Sequence, residues 1–74
     1  MEKEQQIHVN VDPNAFVISM VNMMFDEENF YFMITSGNQG RQFVATPKHA
    51  KRIHLLLKQQ IENYEKSFGE IKTQ

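Results

Sequence analysis

Three histidines are the first residues to test for chemistry: His8, His49 and His54. Two metal ligands on one helical face sit three or four residues apart, as in an H-E-x-x-H pair. His49 and His54 are five apart, which turns them about 140° from each other on a helix. One ion cannot readily take both. His8 falls on the polar side of a short alternating run. All three read as surface or interfacial residues, and no metal site follows. The chain has no Cys, which excludes thiolate zinc sites, disulfide scaffolds and Cys nucleophiles. Its acids fall in the N-terminal region at Glu2, Glu4 and Asp12, at Asp26-Glu27-Glu28, and at Glu62, Glu65 and Glu70. None is flanked by a nucleophile. Ser36-Gly37-Asn38-Gln39-Gly40 is a loop by composition; its Gly37–Gly40 stretch lacks the Lys-Ser/Thr of a phosphate-binding loop and reads as a hairpin connection. No catalytic residue and no cofactor are assigned, so the expectation is a protein that is not an enzyme.

Charge is more informative. The formal net charge is only -1, which argues against a nucleic-acid partner, because such binders carry a basic excess. The charges are nonetheless segregated. Residues 41–58 hold Arg41, Lys48, Lys51, Arg52 and Lys58 and no acid, whereas residues 1–40 hold Lys3 against six acids. A helix start disfavours cations, so Lys48, Lys51 and Arg52 need compensation. One source is a bound phosphate, with Arg41, Lys48, Lys51 and Arg52 as the anion-binding set. The favoured source is internal, the Asp26-Glu27-Glu28 turn at the same end of the sheet.

The elements that place these residues follow from hydrophobic period. Residues 1–6 read as a flexible tail, and residues 7–71 as one domain. Ile7-His8-Val9-Asn10-Val11 alternates like a half-buried strand, and Asp12-Pro13-Asn14 ends it. A second apolar run spans Ala15 to Phe25. Phe30 to Thr35 is strongly β-prone, and Arg41 to Ala45 is a short fourth strand. Thr46 then offers an N-cap, with Pro47 at the first helical position. Ala50, Ile53, Leu57, Ile61, Tyr64 and Phe68 form one helical stripe, and Gly69 is placed to end the helix. The expected fold is α+β: an antiparallel meander of about four strands, then one long C-terminal helix lying across one sheet face. Burying the stripe would contribute on the order of 9–18 kcal/mol before entropy.

One helix covers only about two strands. The second and third runs are nevertheless apolar on both faces. In the second, Phe16, Ile18, Met20 and Met24 alternate with Val17, Val21, Met23 and Phe25; in the third, Phe30, Phe32 and Ile34 alternate with Tyr31 and Met33. A chain of 74 residues without disulfides is also marginal alone. The expectation is a homodimer, with Phe16, Met20, Met24, Phe30, Phe32 and the off-stripe Leu55 as its protein-contacting residues. There is no signal-peptide core and no run of roughly 20 apolar residues. A cytoplasmic protein away from membranes is therefore expected.

Thr46-Pro47-Lys48-His49-Ala50-Lys51-Arg52, Leu55-Leu56-Leu57, Ile61, Tyr64-Glu65 and Phe68-Gly69-Glu70-Ile71 resemble the C-terminal half of a family of short prokaryotic proteins. That family is the domain of unknown function numbered three-four-six-seven. Asp12-Pro13 and Asn29-Phe30 also fit, while the family's Tyr-Ser-Asn and Asp-Phe features are missing here. The resemblance implies no activity. The topology is also similar to that of SecB-like export chaperones, a likeness of fold alone. The leading expectation is a non-enzymatic interaction module whose partner beyond itself is another protein. The alternatives are a chaperone for exposed apolar peptide and a nucleic-acid-binding regulator using the basic helix start.

Overall fold

The computed structural model describes residues 8–74. Three antiparallel strands are followed by one helix: β1 (Met20–Phe25), β2 (Phe30–Ser36), β3 (Gln39–Ala45) and α1 (Pro47–Phe68). The sheet order is β1-β2-β3, so β2 is central and the other two are edges.

Each connection is short and chemically specified. Asp26 closes the β1–β2 turn, its Oδ1 accepting from the backbone N–H of Glu28 at 2.9 Å and of Asn29 at 2.8 Å. Tyr31 donates its hydroxyl to the other carboxylate oxygen at 3.0 Å. Only Gly37 and Asn38 join β2 to β3, since Ser36 pairs with Gln39. Gly37 has φ +62°, the left-handed conformation that a first central glycine supplies in a tight hairpin. The loop expected over residues 36–40 is thus reduced to two residues.

The expected first strand is absent among the described residues. His8 to Val11 carry no strand structure, and Ile7 lies outside the described residues. The second run forms a strand only from Met20 onward. Ser19 makes the last ladder bond, donating its N–H to the Thr35 carbonyl at 2.8 Å. Beyond it β2 turns away at Gly37, so Ala15 to Ile18 have no neighbour to bond. Alternation alone does not make a strand; a partner edge does. Over the described residues the fold is therefore α+β with three strands, one fewer than expected.

The helix matches its expected bounds because its ends are encoded locally. The Thr46 hydroxyl accepts from the His49 N–H at 3.2 Å, Pro47 opens the helix, and the Gly69 N–H bonds the Glu65 carbonyl at 2.9 Å. Its expected position is wrong. The helix does not lie across a face of its own sheet, and its contact with the sheet is a small one with β3. None of its residues is buried. The stabilisation anticipated from burying the stripe is not realised within one chain. A radius of gyration of 16.1 Å records the same separation, against about 11 Å for a compact chain of this length.

Candidate functional site

Strand register sorts the apolar residues into two faces, because residues paired across an antiparallel ladder share a side. Phe25 pairs with Phe30 and Phe30 with Ala45; Met23 pairs with Phe32 and Phe32 with Phe43; Val21 pairs with Ile34 and Ile34 with Arg41. This aromatic face is apolar over its first rungs and turns polar toward the Gly37 hairpin, where Arg41, Ser36 and Gln39 lie. Its rings meet at one end, where Phe25 and Phe30 lie 5.7 Å apart between centroids. The opposite face carries Met20, Asn22 and Met24 on β1, Tyr31, Met33 and Thr35 on β2, and Gly40, Gln42 and Val44 on β3. It holds an open trough of about 320 Å³ between Asn22, Met24, Tyr31, Met33 and Gln42.

Among the described residues no hydrophobic side chain is buried. Phe25 is 72% exposed, Phe43 48% and Met24 66%. The helix stripe fares no better, with Phe68 at 76%.

The six expected contact residues do not form one patch. Phe30 and Phe32 stand on the aromatic face, while Met20 and Met24 stand on the methionine face. Phe16 precedes β1 outside any strand, and Leu55 sits exposed on the helix. Phe43 on the aromatic face, and Asn22 and Gln42 of the trough, were not among the expected contacts. The place of Asn22 follows from the β1–β2 register, which sets it opposite Met33. Those of Phe43 and Gln42 follow from the two-residue Gly37-Asn38 turn, which sets Phe43 opposite Phe32 and Gln42 opposite Met33. Reading residues 36–40 as a longer loop hides that register.

Arg41 lies on the aromatic face near the Gly37 hairpin, whereas Lys48, Lys51 and Arg52 lie in the first turns of the helix. The favoured pairing with the 26–28 turn is not made among the described residues. Lys58–Glu62 at 3.9 Å is the ion pair there, and such an exposed pair adds little. Asp26 instead serves its own turn. Hydrogen bonds from the Asn29 N–H, then the Glu28 N–H, then the Tyr31 hydroxyl hold its carboxyl below the ordinary value of 3.8. His8 lies outside any strand, and no described helix is long and apolar enough to cross a membrane.

What the arrangement offers is contact surface: two unlike sheet faces and an uncovered helix stripe. Neither the curated proteins nor the solved structures include a match. A family model described as a protein of unknown function (DUF3467) matches residues 4–73. Nearly the whole chain is spanned, and the chain belongs to that family.

Proposed function

We propose that this chain is a small non-enzymatic protein-interaction module that works as a homodimer. The observation that carries the reading is surface area. The chain exposes 7478 Å², whereas a compact monomer of 8.7 kDa exposes roughly 4,700 Å². The excess is about 2,700 Å². A seven-residue segment of the composition of residues 1–7 exposes at most about 1,300 Å², so it does not by itself account for the excess. Stable interfaces bury about 800 Å² per partner, and obligate homodimers more. The exposed surface is also rich in large apolar side chains, which water does not tolerate in patches of this extent.

Sedimentation equilibrium at micromolar concentration tests this. The expected mass is twice the 8.7 kDa of one chain. A folded species at the mass of one chain overturns the reading.

The methionine face supports a second role within the same module. Met20, Met24 and Met33 are unbranched and adaptable, and they surround amides that can fix a backbone. An extended apolar peptide of another protein suits that trough, which is the chaperone-like version of the reading. It predicts slower aggregation of a denatured model protein at equimolar dose. No effect at molar excess removes this second role and leaves the dimer standing.

A further inference from the structure

We infer that the dimer is built by reciprocal helix exchange: each α1 lays its stripe on the aromatic face of the other copy's sheet. This rests on the homodimer reading and specifies its contacts.

The connection between sheet and helix carries the first part of the argument. Ala45 still pairs with Phe30, and Pro47 already opens the helix. Thr46 alone joins them, extended at φ -67° and ψ 160°. A residue before proline is restricted to this region. Thr46 is further tied by its hydroxyl to His49 and by its carbonyl to the Ala50 N–H at 2.9 Å. No glycine offers a hinge here. Folding the helix back over its own sheet would break the cap and the last rung of the ladder. The stripe and the aromatic face of one chain are therefore held apart, although each needs what the other supplies. A two-fold axis satisfies both at once, since the contact from first copy to second is repeated from second to first.

Size and charge agree with this occupant. A 22-residue helix is about 33 Å long, and a seven-residue strand about 23 Å, so the helix crosses the whole sheet. The aromatic face is acidic at one end, beside Asp26-Glu27-Glu28, and carries Arg41 toward the other. The helix is basic at its start, with Lys48, Lys51 and Arg52, and charge-balanced toward its end, where Lys58 and Lys66 accompany Glu62 and Glu65. Laid with its start over the partner's 26–28 turn, the helix brings its basic end to the acidic end of that face.

An isotope-filtered NOE experiment tests the arrangement on the full, unmodified chain, using equal parts of ¹³C,¹⁵N-labelled and unlabelled protein, refolded together. Sedimentation is run on the same sample. Expected are interchain NOEs from the Ile53 methyls to the Phe25 and Phe30 rings, and from Ile61 to Ile34 and Val21. A dimer whose interchain NOEs join only helix to helix or sheet to sheet overturns the exchange and leaves the dimer intact. A monomeric mass overturns the dimer reading itself.

Discussion

Phe32 and Met33 are neighbours on the central strand and point to opposite sides of the same sheet. Around Phe32 the register collects Met23 and Phe43, with Phe25 and Phe30 one rung away. Around Met33 it collects Asn22 and Gln42, with Met24 and Tyr31 beside them. Both residues are half-buried in the single chain, so exposure does not separate them. Chemistry does. Rings of fixed shape pack against a matching surface and lose most when left in water. Thioethers among amides tolerate water and varied partners. The first face has the composition of a hydrophobic core split open; the second has that of a surface that meets partners transiently.

The largest expected effect tests this contrast on one strand with one replacement residue. Phe32→Gln removes a ring from the face assigned to the dimer. The cost is at least the ~3–5 kcal/mol of a core Phe truncation, a large part of the stability of any small domain. The variant is expected to lose both dimer and cooperative melting. Met33→Gln is expected to cost below about 1 kcal/mol, the span of strand propensity, and to stay dimeric. Circular dichroism melts with sedimentation decide the matter. Equal losses in the two variants would erase the distinction between the faces.

How much of this was legible beforehand divides along the same physical line. The helix was, at both ends, because Thr46, Pro47 and Gly69 act on atoms within four residues of themselves. The 26–29 turn was for the same reason. Strand extent was not. Val9, Val11 and Phe16 to Ile18 have strand-like composition, yet whether they pair depends on an edge elsewhere. The position of the helix was the largest miss. Periodicity says that a stripe must be covered, but it does not say by which copy of the chain. The contact set mixed two faces because the β1–β2 register puts Met23, not Met24, opposite Phe32, and composition alone does not show which parity of one strand faces which parity of the next.

The helix supplies a sharper form of the comparison, of intermediate size. Leu55 and Leu57 are 51% and 58% exposed in the single chain, so the isolated subunit treats them alike. Leu57 belongs to the stripe and Leu55 lies off it. With the stripe covered by a second copy, Leu57→Ala is expected to cost 2–5 kcal/mol, roughly that of a core truncation. Leu55→Ala is expected to stay within about 0.5 kcal/mol, as at an open surface site. Chemical denaturation at fixed protein concentration measures both. A Leu55 effect matching that of Leu57 would mean that the helix is wrapped on both sides, and the exchange model would need a further contact.

The smallest effect belongs to the turn that both faces share. Asp26 accepts hydrogen bonds that favour its carboxylate, so its folded pKa lies below the ordinary 3.8. An unfolded chain lacks those bonds and titrates at the ordinary value. The folded state thus binds fewer protons across the interval between the two, and stability falls as pH drops there. The contribution is full above 3.8 and gone once the pH is below the folded value. Asp26→Asn keeps an acceptor oxygen for the turn but no longer titrates. It is expected to melt slightly lower than the parent at neutral pH, with the gap closing in acid. The other carboxylates titrate in both proteins, so the difference between the two melting curves isolates this one. Carbon-detected titration of the Asp26 carboxyl gives the direct check: a midpoint at or above 3.8 would show that the turn does not hold the carboxylate. The exchanged dimer lays the partner's basic helix start at the end of the sheet that holds Asp26, Glu27 and Glu28, so a midpoint that rises with added salt would place those cations near the turn. A salt-independent midpoint would leave the hydrogen bonds as its whole cause and remove the charge argument for the helix direction.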